Sequence, residues 1–275
     1  MKKRLQDALK LEFPPVATLW MDEAPDEALA FADGKRGCLM SLFAAAAKGK
    51  IAALGKKNVG CPGGGVGMCY GNYYAENFPG GVDCFSRFLS NGNQGYPKGE
   101  AIAEQMQGHA PDTFIEEFLH GERYMKSPEI VVDFIDKVGI MDLGEKQTVF
   151  MPLPMAEERK LKPATVTIIC NASQLSALII LCNYFRRGIE NVAAPYVAGC
   201  QSIGAVTYSE MESLSPRGII GLVDITARKT IKNSLGADKL TFSVPYPLFR
   251  EMEENIAGSF LEKSPWLEII PSSAF

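Results

Sequence analysis

The sequence predicts an α/β or α+β fold with a mixed, mostly parallel sheet flanked by helices. Residues 164–170 are almost continuously apolar and rich in β-branched side chains, a pattern typical of a strand buried on both faces. A helical period follows over 175–186 and ends at Gly188. Further strand-like segments alternate with helical periods, which favours parallel strands joined by crossover helices.

The other elements follow the same pattern along the chain. A first helical period over 1–11 is stopped by Pro14 and Pro15, because proline cannot continue a helix. The predicted strands are 16–20, 149–152, 164–170, 192–194, 219–225 and 240–244. The other predicted helices are 39–48, 83–89, 99–106, 112–120, 128–138, 175–186, 248–256 and one opening at Gly199. We expect a single domain over 1–275, with one weak boundary near the charged segment 156–163.

Composition narrows the classes of function. The net charge is −4 and basic residues are scattered, so nucleic acid is not the expected partner. The longest apolar stretches, near 44–47 and 175–182, are far shorter than the roughly 20 residues that cross a bilayer. No secretory pattern is present, so we expect a cytoplasmic protein whose partner is a small molecule or an electron carrier. The sequence leaves homo-oligomer formation open.

The stretch 60–71 contains six glycines and two cysteines. Such a stretch predicts a loop whose backbone approaches another group closely, because glycine weakens helices and strands. Its spacing matches neither of the two glycine-rich phosphate motifs. We therefore expect the amides of Gly63, Gly64 and Gly65 to donate to the sulfur atoms of a metal-bound thiolate or a cluster.

Seven cysteines, an odd number in a chain of this size, do not predict a disulfide framework. Four of them adjoin glycine or lie in the glycine-rich stretch and are the candidate metal ligands: Cys38, Cys61, Cys69 and Cys200. Cys170 and Cys182 lie in apolar patterns and are expected in the core, whereas Cys84 is ambiguous. Because free cysteine is often buried, all seven could instead be core residues.

Two polar residues, Asn171 and Gln174, follow the strand predicted at 164–170. In open α/β sheets, ligands bind beyond the carboxyl ends of the strands. We therefore expect this pair to face the site together with Cys200.

The order of these segments resembles that of the DUF169 family of uncharacterised prokaryotic proteins. The resemblance rests on Arg36-Gly37-Cys38, the Gly60-Cys61 segment, Asn171-x-x-Gln174 and Gly199-Cys200, and it spans roughly Leu9 to the last helix. It implies that Cys38, Cys61 and Cys200 occupy positions where the family usually has cysteine. It also matches Asn171 and Gln174 to a family N-P-x-Q segment, here with Ala172 in place of proline.

One segment departs from the family pattern. A family G-C-x-G-x-R segment corresponds here to 223–228, which keeps Arg228 as a cofactor-binding candidate and lacks the cysteine. Cys69 could replace the missing ligand. The family has no established activity, so the resemblance implies a site and not a reaction.

Three hypotheses follow. The first is an iron–sulfur cluster, or alternatively zinc, held by Cys38, Cys61 and Cys200 with Cys69 or an external group as the fourth ligand. The second is a metal-free thiol enzyme or small-ligand-binding protein, in which a helix N-terminus lowers the pKa of Cys38 or Cys200 and Asn171 and Gln174 orient the ligand. The third is a regulatory or assembly protein with these cysteines in its core. The sequence does not establish whether the protein is an enzyme.

Overall fold

The computed structural model describes residues 4–32 and 35–270. The chain divides into two compact units. The first comprises Met1–Met68 and Leu143–Phe275, and the second comprises Cys69–Asp142. The charged segment near 156–163 lies within the first unit. That the whole chain acts as one domain stays a prediction.

The first unit is an α/β structure built on a seven-stranded mixed sheet. Its strands are β1 Val16–Met21, β2 Ala52–Leu54, β3 Gln147–Pro152, β4 Thr165–Cys170, β5 Val192–Ala193, β6 Gly218–Gly221 and β7 Leu240–Pro245. Their order across the sheet is β2-β3-β1-β4-β7-β6-β5.

The sheet is mostly antiparallel, so the prediction of a mostly parallel sheet is wrong. Strand β4 pairs antiparallel with β1 on one side and with β7 on the other, and among the described strands only β5 and β6 run parallel. The apolar run of β4 correctly indicated a strand buried on both faces, since all six of its residues are buried. Burial does not determine strand direction, however, and the neighbours of β4 are distant in sequence.

Helices flank the sheet and also form the second unit. In the first unit they are α1 Leu5–Leu9, α2 Met40–Ala47, α3 Pro62–Gly67, α9 Leu153–Glu158, α10 Ala172–Tyr184, α11 Gly199–Ile203, α12 Ala205–Ser209, α13 Ile225–Leu235, α14 Tyr246–Glu254 and α15 Ser264–Ile269. Those of the second are α4 Tyr73–Glu76, α5 Gly81–Phe88, α6 Pro97–Met106, α7 Asp112–His120 and α8 Pro128–Lys137. Residues 1–3 of the first predicted helix lie outside the described residues. Every helix in the described part of the chain is too short or too polar to cross a membrane.

The two faces of the sheet carry different residues, because successive side chains of a strand point to opposite faces. On one face, Val166 and Ile168 join the main hydrophobic core, which also contains Leu178 of α10. On the other face, the Thr167 hydroxyl lies 2.9 Å from that of Ser243, and the Thr165 hydroxyl donates to the carbonyl oxygen of Ile203 at 3.4 Å. Helices α10 and α11 therefore lie on opposite faces of the sheet.

The second unit has a core of its own, made largely of aromatic rings. Phe78 contacts Phe85, Phe88 and Phe118, and the rings of Tyr74 and Phe85 stack with centroids 4.0 Å apart. The buried Asn93 amide donates to the carbonyl oxygens of Cys84 and Phe118 at 3.1 and 3.0 Å. Cys84 is buried in this unit.

Candidate thiol site

The glycine-rich stretch forms helix α3 over Pro62–Gly67, so the prediction of a loop is wrong there. Cys61 is the N-cap residue, and its Sγ accepts a hydrogen bond from the Gly64 N–H at 3.3 Å. Pro62 follows at the first helical position, where its fixed φ favours helix entry. Capping and burial thus allow a glycine-rich segment to remain helical despite its low intrinsic propensity.

The glycines serve close packing between α3 and α11. A Cβ atom on Gly67 would lie 2.9 Å from the carbonyl carbon of Cys200 and 3.0 Å from the Gln201 nitrogen. A Cβ on Gly204, directly after α11, would overlap the carbonyl oxygen of Gly67. Only residues without a Cβ allow the two backbones to come this close.

This packing brings Cys200 to the same peptide group that contacts Cys61. The Cys200 thiol donates to the Gly63 carbonyl oxygen with a sulfur–oxygen distance of 3.2 Å. That carbonyl and the Gly64 N–H belong to one peptide unit. The two sulfur atoms therefore contact opposite ends of the Gly63–Gly64 peptide.

Cys38 completes a set of three thiols. It lies just before α2, where the nearby Met40 N–H and Thr230 hydroxyl act to lower the pKa of its thiol. Burial, followed by the charge of Cys61, raises the pKa of Cys38 to about 11. Burial also raises the pKa of Cys200 well above 9.0, and the charges of Cys61 and Cys38 add to this effect. The three sulfur atoms thus lie within electrostatic range of one another.

Backbone N–H groups offset part of the effect of burial on the Cys61 thiol. Burial raises the pKa of Cys61, and the N–H groups of Gly64, Leu39 and Gly63 oppose that rise. Two of the three glycines proposed as amide donors therefore act on a sulfur. The expectation that a helix N-terminus lowers the pKa of Cys38 or Cys200 is wrong, because burial outweighs the local donors.

Asp224 is a member of this site that the sequence did not single out. One carboxylate oxygen caps α13 by accepting from the Ala227 N–H at 2.7 Å, and the other accepts from the Gly199 N–H at 2.5 Å. Its charge raises the pKa of Cys38, Cys61 and Cys200. A signal was present, since Asp224 occupies the cysteine position of the segment resembling G-C-x-G-x-R.

Cys69 belongs to the second unit. Its side chain is buried, and burial together with Asp142 raises the pKa of its thiol to about 12. The interactions that link Cys38, Cys61 and Cys200 come from the first unit alone.

The structure does not bring Asn171 and Gln174 to these cysteines. They form a reciprocal capping box at the start of α10, with both hydrogen bonds at 2.9 Å. The Gln174 amide also donates to the carbonyl oxygens of Leu9 and Lys10. The capping box therefore lies on the face of the sheet that α10 covers, whereas Cys200 of α11 lies on the other face of the sheet. Arg228, the other polar candidate, donates to the Ala237 carbonyl oxygen at 2.8 Å.

Among the described residues, no group of three or more His, Cys, Asp or Glu side chains is arranged to hold a metal ion. The shared peptide gives a physical reason. Two thiolates on one ion, at about 2.3 Å each, can be no more than about 4.6 Å apart. Contacts at opposite ends of a peptide group keep the sulfurs of Cys61 and Cys200 farther apart than that. The donors suit a soft metal, but their spacing does not suit a single ion.

The chain was also compared with known proteins. The family model of DUF169, described as "Uncharacterised ArCR", matches residues 4–255 of the 275-residue chain. The chain belongs to the DUF169 family. This confirms the resemblance predicted from the sequence, and the DUF169 match includes all three thiols and Asp224. No curated protein and no solved structure matches this DUF169 chain.

Proposed function

We propose that this DUF169 protein binds an iron–sulfur cluster through the thiolates of Cys38, Cys61 and Cys200. One observation carries the proposal: the Cys61 and Cys200 thiols contact the two ends of the Gly63–Gly64 peptide, and the Cys38 thiol lies close enough to interact electrostatically with both. Cysteine thiolates are the usual ligands of such clusters.

The electrostatics of the site favour a bound cation. Cys200 is buried and Cys38 and Cys61 are partly buried, and desolvation, to which the Asp224 charge adds, raises the pKa of all three thiols. A bound metal supplies positive charge and stabilises the thiolate forms. The hydrogen bonds that N–H groups donate to the Cys61 sulfur then become stronger, because a charged acceptor forms stronger hydrogen bonds than a neutral one.

The spacing favours a cluster over a single zinc ion. In a cluster each thiolate binds a different iron atom, so the sulfurs can lie farther apart than around one ion. Three thiolate ligands would leave one position, which the Asp224 carboxylate or an external ligand would fill. When bound, a cluster supplies one-electron transfer, so we propose a redox or small-molecule role with an electron carrier or small molecule as partner.

Binding of a cluster requires the cysteine ligands to lose their protons. The Cys200 thiol must give up its proton and its contact with the Gly63 carbonyl, because a thiolate and a carbonyl oxygen repel each other. Solvent base accepts the protons released by the three ligands. A reducing cytoplasm suits such a site, since free thiols persist there.

The raised pKa values disfavour the metal-free alternative. A catalytic cysteine needs a thiolate near neutral pH, and its pKa is lowered for that purpose. Here the pKa of Cys38 is about 11 and that of Cys200 is higher than its ordinary value. We therefore do not propose a thiol nucleophile.

The experiment is elemental analysis of iron, sulfide and zinc, with visible absorption spectra, on protein produced and purified without oxygen. We expect iron and sulfide in stoichiometric amounts, with charge-transfer absorption. Cys200→Ser should lose the iron because the hydroxyl is a poorer ligand. Cys170→Ser is the matched control, since Cys170 is also buried and donates to a carbonyl oxygen, that of Leu240.

Two results would overturn the proposal. One is a protein without stoichiometric iron and sulfide even after reconstitution with both. The other is a Cys200→Ser variant that retains as much iron as the Cys170→Ser control.

A further inference from the structure

An open, shallow cavity of about 490 Å³ lies at the surface of the first unit, separate from the thiol site. Four basic side chains line it, from Arg4, Lys160, Lys162 and Arg250, together with the carboxylate of Glu157 and the ring of Tyr246. We call it the basic cavity.

The charge of the basic cavity is opposite to that of the whole chain. The chain has a net charge of −4, whereas four cations and one carboxylate line the cavity; a second carboxylate, that of Glu253, pairs with both arginines, which leaves two cations in excess. Such a local excess of positive charge in a concave site attracts anions.

Glu157 holds the two arginines in place. Its carboxylate oxygens lie 2.7 Å from Arg4 Nη1 and 3.4 Å from Arg250 Nη1. Arg250 also pairs with Glu253 at 3.0 Å. Paired guanidinium groups keep unused N–H donors, so both arginines can still bind an anion in a fixed orientation.

The two lysines are available to a ligand. Both are exposed, and neither has an ion-pair partner within the ranges 4–32 and 35–270. They flank Leu161 in the sequence. Their positive charges add to those of the two arginines that pair with Glu157.

The backbone after α9 fixes the position of Lys160. Helix α9 ends in a turn in which the Lys160 N–H donates to the Glu157 carbonyl and the Leu161 N–H to the Ala156 carbonyl, both at 2.9 Å. Lys160 has φ +57°, in the left-handed region where such turns usually have glycine. This turn places both Lys160 and Lys162 at the cavity.

We propose that the basic cavity binds a small molecule through a phosphate group. Both arginines would contact the phosphate oxygens in a fixed geometry, while Lys160 and Lys162 neutralise its charge. The Tyr246 hydroxyl is a further hydrogen-bond donor at the cavity.

Isothermal titration calorimetry tests this with inorganic phosphate, ribose 5-phosphate and succinate, each at low salt. We expect both phosphates to bind and succinate to bind at least tenfold more weakly. Lys160→Gly should weaken phosphate binding by about tenfold or more, because a hydrogen bond between charged groups is lost. Its Tm should not fall, since glycine relieves the left-handed backbone. Lys162→Gln should weaken binding to a similar extent.

Lys48→Gln is the matched control, because Lys48 is exposed at the end of α2 and does not line the cavity. This variant should bind phosphate as the parent does. Absence of phosphate binding, unchanged affinity in both Lys160→Gly and Lys162→Gln, or succinate binding as tight as that of phosphate would each overturn the proposal. The iron content of the protein does not enter this test, so the outcome is independent of the thiol site.

Discussion

The sulfur atoms of Cys61 and Cys200 contact the two ends of one peptide group, that between Gly63 and Gly64. One sulfur accepts from the N–H and the other donates to the carbonyl. The arrangement depends on the glycines of α3, which let α11 approach. It also makes the two thiols unequal, since Cys61 is placed as an acceptor and Cys200 as a protonated donor.

Gly67→Ala should disrupt this arrangement. The added methyl group would lie 2.9 Å from the Cys200 carbonyl carbon, so the two helices must separate. We expect the free energy of unfolding to fall by about 1–3 kcal/mol, measured by urea unfolding, and the iron content to fall with it.

Gly49→Ala is the control that distinguishes a general loss of stability from disruption of the thiol site. Gly49 has φ +90° and an added Cβ there meets nothing within 4 Å, so the variant is strained without steric overlap. It should lose about 1 kcal/mol and retain its iron. If Gly67→Ala behaves in the same way, the close approach of α3 and α11 does not matter to the site.

Asp224→Asn should make the three thiols easier to ionise. Removal of its negative charge lowers the pKa of Cys38, Cys61 and Cys200 towards the ordinary value. The acceptor for the Gly199 N–H is weakened too, so we expect a loss of about 1–2 kcal/mol in stability. Ultraviolet thiolate absorbance of the metal-free protein, followed against pH, measures the change.

Asp238→Asn is the control for that titration. It removes the same charge from an exposed residue that is not among those raising the three pKa values. Equal titration curves for the two variants would show that Asp224 does not act on the thiols.

Metal-free protein should lose stability at alkaline pH. The folded state raises the pKa of Cys38 from 9.0 to about 11, so it holds the proton more tightly than the unfolded chain does. This contribution is fully present below pH 9 and is lost as the pH rises towards about 11. Urea midpoints across this range should fall, and Cys38→Ser should show a shallower fall. The urea midpoint of Cys38→Ser should still fall as the pH rises, because the pKa of Cys170 is also raised, to about 12.

Gln174→Ala tests a purely structural role. The substitution removes half of the capping box and the donors to the Leu9 and Lys10 carbonyls. We expect a loss of about 2 kcal/mol in urea unfolding with unchanged iron content, because the side chain lies on the other face of the sheet from Cys200. Gln107→Ala, at an exposed position after α6, should change neither quantity. A selective loss of iron in Gln174→Ala would show that the residue serves the site after all.

Local pattern predicted much of the fold. Strand β4 and helix α10 were found because continuous apolarity and helical periodicity are properties of the segments themselves. Strand direction was not predicted. The partners of β4 are β1 and β7, and the sequence of one strand carries no pattern that identifies partners so far away along the chain.

The site was predicted in part. Glycine-flanked cysteines indicated Cys38, Cys61 and Cys200, and the structure brings these three into electrostatic range. Helix α3 was missed because its stability comes from a cap and from burial against α11, which propensity does not include. The predicted strand 219–225 ends at Gly221, because Asp224 caps α13 and starts a helix there.

The contact between Cys200 and Gly63 joins residues 137 positions apart. During translation, the Cys61 segment therefore leaves the ribosome long before its counterpart exists, and Asp224 follows later still. A growing chain carries the Cys38 and Cys61 thiols without their partner until Cys200 has been made. The proposed cluster would therefore form only after synthesis has passed Cys200.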